Sequence, residues 1–195
     1  MKTGNATRIS LPWYKVWFDS LARPSVASYG YLLQDIHASP KLAYFWLVIG
    51  GLIGGIVSAF AQPPQRGTSP IILAVCGAPF LAILVVITIT VVAGLIQWLA
   101  RSMGGIGTYS KLVYALATFN APMTIISSLL LLVPYGLWIN AAAGIYWAVL
   151  SVIAVKAVHQ LETRNAIIAA LPVILLTILL IAVTPWAVTL MAHLG

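Results

Sequence analysis

From Pro70 to Ala100 the chain runs without one charged side chain, and Thr88, Thr90 and Gln97 carry its only hydroxyl or amide groups. A stretch of this kind exceeds the roughly 20 apolar residues that cross a hydrocarbon core of about 30 Å as a helix. Four more apolar runs stand at about 42–61, 111–133, 139–158 and 166–192. Hydrophobic residues make up 62% of the 195 positions and charged residues 7%. Mean hydropathy is +1.03, which places the chain among membrane proteins. The expectation is an all-α polytopic protein, a bundle of five transmembrane helices preceded by an amphipathic interfacial segment. Residues 1–40 form the arm and residues 41–195 the five-span domain. Pro70 suits the first turn of a helix, where an amide has no internal acceptor. KAVHQLETRN, residues 156–165, separates the last two runs and holds Glu162, the only acidic residue after position 35.

Lysines and arginines assign an orientation. Lys2, Arg8, Lys15, Arg23 and Lys41 lie before or at the start of the first span, Arg101 and Lys111 between the second and third, and Lys156 and Arg164 between the fourth and fifth. Arg66 alone falls on the opposite side. The positive-inside rule therefore predicts a cytosolic amino terminus and an external carboxyl terminus, in the cell (inner) membrane if the source is prokaryotic. The net charge of +7 is explained by this topology, and its scattered cations point to no nucleic acid. The amino terminus lacks the continuous apolar region of a cleavable signal peptide. A single cysteine, Cys76, permits no intramolecular disulfide.

In the arm, LPWYKVWFDSLAR repeats Trp13, Trp17 and Leu21 every four residues, with Tyr14 and Phe18 alongside. This periodicity predicts a short helix lying in the interface with its aromatics toward the acyl boundary. The first span contains two overlapping Gly-x-x-x-Gly pairs, Gly50 with Gly54 and Gly51 with Gly55. Small residues at that spacing let helices approach closely, within one chain by default and between copies as the alternative. In the third span, Leu112, Leu116, Phe119, Met123, Ile126 and Leu130 form a large apolar face. Ala117, Asn120, Ala121, Thr124, Ser127 and Ser128 form a small polar face expected to turn into the bundle. Pro122 removes the amide that would bond the Thr118 carbonyl, which then requires a polar side chain or water. Thr90, Gly94 and Gln97 make a weaker row on the second span. With the third-span row they are read as lining a shallow cytosol-facing pocket near Gly104 and Gly105. Asp35, His37, His159 and Glu162 could converge near the cytosolic surface, but their spacing matches no metal signature. No catalytic, cofactor or metal site is assigned, and three carboxylates in the whole chain make catalysis a poor fit.

The order of these features resembles a known family. VWFDSLARPSVASYGYLLQDIHASPKL precedes the first span. GGIGTYSKLVYALATFNAPM opens the third, with Tyr114, Ala117, Asn120 and Pro122 in it, and His159-x-Leu161 leads through KAVHQLETRNAIIAALP into the fifth. The whole resembles the Yip family, five-span membrane proteins that interact with Ypt/Rab GTPases, in its prokaryotic branch. The resemblance implies a five-span helical fold with a cytosolic amino terminus and, for eukaryotic relatives, Rab association and roles in vesicle traffic or membrane shaping. The Asp-Leu-Tyr-Gly-Pro element of those relatives has no counterpart here, SYGYLLQD being the nearest stretch, so GTPase binding does not carry over. The expected function is non-enzymatic: a scaffold, membrane organiser or accessory subunit whose partners are the lipid bilayer and other membrane proteins. The alternative is a small-molecule or lipid transporter or binding protein using the polar faces of spans two and three.

Overall fold

The computed structural model describes residues 9–61, 69–179 and 182. Among them the chain is helical throughout, apart from turns and one isolated bridge between Ile9 and Asp35. Two short helices, α1 (Trp13–Ala22) and α2 (Val26–Leu32), make up the arm. Four long ones follow: α3 (Pro40–Ala61), α4 (Pro70–Ser102), α5 (Tyr109–Leu130) and α6 (Gly136–His159). Each contains a stretch long and apolar enough to cross a membrane. Ser69 and Thr108 cap α4 and α5 by accepting from the amides of Ile71 and Lys111. Such caps satisfy first-turn donors that have no helical acceptor. Left-handed residues bound α6, Tyr135 before it and Gln160 after it.

The fifth run differs in detail from a continuous 166–192 helix. It begins earlier, as α7 (Thr163–Ala169), turns at Ala170 and resumes as helix over 171–179. Pro172 explains the break, because it has no amide to donate back to Ile168. Residues 180–181 and 183–192 of that run lie outside the described residues.

Helix register follows from the small residues. A Cβ built on Gly51 would meet Ala82 and one on Gly55 would meet Ala78, so α3 and α4 run antiparallel. Gly50 faces Ala121 while Gly54 faces Thr124 and Ser128, so α3 and α5 run parallel. Hydrogen bonds from Trp147 to Asn120 and from Asn140 to Ser127 make α6 antiparallel to α5. Lys41, Arg101, Lys111 and Lys156, each at or near a helix terminus, therefore gather at one end of the bundle.

The two-faced reading of the third span requires correction. Every residue from Leu112 to Met123 is buried, so the large apolar side chains have no lipid-facing side over the first half of α5. The reason is that α3, α4, α6 and the arm surround it together. Only toward the far end do Ile126 and Leu129 become exposed.

The arm is helical, as its periodicity requires, but its aromatic set divides. Trp13, Tyr14 and Phe18 point outward, 58%, 63% and 59% exposed. Trp17 and Leu21 pack against the core, with the Trp17 ring 6.2 Å from that of Trp46. Val16, Ser20, Tyr29 and Leu32 are buried outright. The arm thus folds along the flank of α5 and α6 instead of capping their ends. Its contacts reach Thr118 and Phe119, about 14 Å into α5 at the 1.5 Å helical rise.

Candidate functional site

The candidate positions divide among three places. The first is the packing seam of α3. Gly51 and Gly55 receive α4, with Ala82 Cα and Ala78 Cα each 2.5 Å from where a Cβ would stand. Gly50 and Gly54 receive α5, where the same positions are 2.8 Å from Ala121 O and 3.0 Å from Ser128 Oγ. The two overlapping pairs are thus two seams on one helix, each committed to a different neighbour within the chain. Close backbone approach maximises dispersion contacts between helices that gain nothing from hydrophobic burial in lipid.

The second place is the hairpin joining α4 to α5. Gly104 adopts φ +85°, a left-handed geometry that favours glycine. Gly105 and Gly107 close over His159, and a Cβ on either would sit 2.9 Å from Nδ1 of its ring. Ile106 N donates to His159 O (3.3 Å), and Gln97 Nε2 donates to Gly107 O (3.0 Å). Only 1% exposed, His159 is a core residue of this end rather than an interfacial one. Both its ring nitrogens, and Gln97 Oε1, lack a hydrogen-bond partner among the described residues. The glycines that suggested a pocket are filled by an imidazole.

The third place is α5 itself: the arm reaches Tyr114 and the Thr118 carbonyl, and α6 reaches Asn120 and Ser127 of the small polar face. Pro122 leaves the Thr118 carbonyl without its helical donor, and Ser20 Oγ of α1 reaches it at 3.0 Å, its one hydrogen shared between that oxygen and Trp17 O at 2.9 Å. Tyr29 Oη donates to Ser20 O (3.3 Å). Burial pushes the Tyr29 phenol well above its ordinary value, so it remains a donor. Tyr146 of α6 donates to Leu21 O. Asp35 completes the clasp by accepting from Leu11 N (3.4 Å), His37 N (3.1 Å) and Tyr114 Oη (3.3 Å). Asn120 is held at both ends: Nδ2 donates to Leu116 O and Oδ1 accepts from Trp147 Nε1, each at 2.7 Å.

The pocket anticipated beside Gly104 and Gly105 does not form from the two polar rows. Thr90 donates to Val86 O (2.7 Å) and lies among Tyr44 and Tyr109. A Cβ on Gly94 would meet nothing within 4 Å among the described residues, and Gln97 serves the hairpin. Asn120, Thr124 and Ser128 instead line a cleft of about 680 Å³ among α4, α5, α6 and residues 171–179. It lies beside the second half of α5, away from the cationic end. The cleft takes Leu81, Leu84, Val85, Thr88 and Ile89 from α4, so Gln97 lies about two turns beyond it toward the Arg101 end, while Thr90, next to Ile89, turns instead toward Tyr44 and Tyr109. Asp35 and His37 are neighbours in the arm, Glu162 is exposed, and no three potential metal ligands group together among the described residues.

Sequence reasoning missed Ser20 and Trp147 as partners of α5, and Tyr146 as a partner of the arm. Nothing in a lone serine, tryptophan or tyrosine marks a contact made 27 to 125 positions away. The demand was visible at Pro122, but the donor was not. A family model, the Yip1 domain, matches residues 18–184. No curated protein and no solved structure matches the chain. The match extends from the arm through all four long helices and into the run after α7, and the chain belongs to the Yip1-domain family of integral, multi-pass membrane proteins.

Proposed function

We propose that this protein works without catalysis as a membrane organiser, its arm cytosolic and fixed to the five-span domain as one unit. The observation that carries the reading is the clasped arm. Buried contacts through Ser20, Tyr29 and Asp35 hold α1 against the bundle while Trp13, Tyr14 and Phe18 stand exposed. Aromatic side chains favour the headgroup region, and a helix seated there adds area to one leaflet only. Because α1 is braced, that added area is transmitted to the bilayer rather than lost by swinging of the arm. The cytosolic assignment is supported by the cations gathered at the arm-bearing end. The same exposed faces suit a scaffold or accessory subunit, whose partners would be other membrane proteins.

Reconstitution into phosphatidylcholine–phosphatidylglycerol vesicles tests the proposal, with diameters measured by cryo-electron microscopy at increasing protein content. The intact protein should narrow the vesicles, and a W13S/Y14S/F18S variant should leave them at the protein-free diameter while unfolding at the same temperature. Equal narrowing by both proteins would sink the proposal. Gentle extraction from the native membrane followed by mass measurement tests the accessory role, against which a monomeric, partnerless particle would count. A second reading, lipid or small-molecule binding, is supported by the cleft at Asn120, Thr124 and Ser128.

A further inference from the structure

The geometry points to a ligand class for the cleft: an uncharged, single-chain lipid with a small hydroxyl-bearing head, of monoacylglycerol type. The inference rests on the second reading above and goes beyond it by fixing charge, size and hydrogen-bond polarity.

Charge comes first. Among the described residues, no Asp, Glu, Lys, Arg or His borders the cleft. A phosphate or ammonium head placed there would lose its hydration with no ionic partner among those residues. Neutral heads escape that penalty.

Size comes second. At about 30 Å³ for each water-sized group, a volume near 680 Å³ holds on the order of twenty heavy atoms. One acyl chain with a glycerol head fits that number. A two-chain phospholipid does not.

Hydrogen-bond polarity comes third. Thr124 Oγ1 donates to Asn120 O, Ser128 Oγ to Thr124 O and Thr177 Oγ1 to Val173 O, each one helical turn back. A hydroxyl has one hydrogen and two lone pairs, so with the hydrogen committed to its own helix it offers the cleft an acceptor. Asn120 contributes the opposite character. Its oxygen is taken by Trp147 and one amide hydrogen by Leu116 O, which leaves the second amide hydrogen to donate. A head carrying hydroxyl donors and an ester or hydroxyl oxygen complements this set. Facing the polar stripe, Leu81, Leu84, Val85, Met123 and Leu176 supply an apolar wall for the chain.

The test uses the full-length protein in detergent with a diazirine-bearing monoacylglycerol, its labelled residues mapped by mass spectrometry. Saturable labelling should fall on α4, α5 and α6 residues of the cleft. Unlabelled monoacylglycerol should compete, and a lysophospholipid of the same chain length should not. Asn120→Leu should weaken labelling about tenfold, equivalent to one lost hydrogen bond of roughly 1.4 kcal/mol. Ala141→Phe, which fills the cleft from α6 without touching the Asn120–Trp147 bond, should abolish labelling in a protein of unchanged thermal stability. That variant keeps the test decisive should Asn120→Leu fail to fold. Equal competition by the lysophospholipid would overturn the ligand class while leaving lipid binding standing. Labelling that is unsaturable, or unaffected by Ala141→Phe, would overturn both.

Discussion

Replacing Gly51 by alanine probes the α3–α4 seam at its tightest point. The new Cβ would stand 2.5 Å from Ala82 Cα and 3.1 Å from Ala82 Cβ, where carbon atoms rest at about 3.5–4.0 Å. Ala82 Cα is backbone and cannot rotate away, so α4 must retreat by roughly 1 Å, loosening dispersion contacts along the seam. Overpacking of this kind costs about 1–3 kcal/mol, offset by up to about 1 kcal/mol because alanine is the better helix former. A net loss of about 1–2 kcal/mol is expected. Gly55→Ala, which meets Ala78 Cα at 2.5 Å, should behave alike. The double variant should lose less than the sum, because one helix displacement relieves both clashes. Gly77 and Gly94 have nothing among the described residues within 4 Å of a built Cβ and serve as controls, with alanine there expected to be neutral or stabilising by up to about 1 kcal/mol. Reversible unfolding by sodium dodecyl sulfate in mixed micelles, followed by tryptophan fluorescence, measures all five proteins. Equal stability of Gly51→Ala and Gly94→Ala would refute the seam. A change in particle mass without a change in stability would reassign the glycines to contacts between copies.

Ser20→Ala should destabilise by about 1–3 kcal/mol, the range for leaving a buried acceptor unmet. In a Pro122→Ala background, where residue 122 regains its amide, the same change should cost clearly less, and a double-mutant cycle measures the coupling. Gly105→Ala and Gly107→Ala should both open the hairpin, seen as faster amide exchange over residues 103–108. His159→Ala should restore only part of the protection, because Ala100 O and Val158 O stand as close to the new methyl groups as the ring does. Trp147→Phe removes the donor that fixes Asn120 Oδ1 and should lower thermal stability by about 1–2 kcal/mol without altering helix content by circular dichroism. With Cys76 replaced, single cysteines at Asn5 and Ile106 should label from the cytosolic side and those at Arg66 and Leu194 from outside. Labelling of Asn5 and Leu194 from the same side would overturn the five-span orientation.

Much of the architecture is legible without coordinates, and the physical reason is that it rests on local quantities. Hydropathy summed over some 20 residues decides whether a segment can leave water, so the starts of α3 to α6 fall within a few residues of the apolar runs. Prolines and small-residue spacing are equally local. Pro70 marks the start of α4, Pro122 announces an unmet carbonyl, and Gly50, Gly51, Gly54 and Gly55 announce close approach. None of these quantities names a partner. Only the tertiary structure decided that one glycine row meets Ala78 and Ala82 while the other meets Ala121 and Ser128. Likewise it supplied Ser20, nearly a hundred positions away, as the donor at Pro122. It also buried both faces of α5 over Leu112 to Met123, which periodicity alone had divided into core and lipid sides, because burial depends on how many neighbours surround a helix. The same register separated Gln97 from Asn120, pressed His159 beneath the glycines of the hairpin, and opened the cleft in the other half of the bundle. The sequence by itself determined what could enter the membrane and where its helices would be unsatisfied or thin; long-range packing determined what came to meet them there.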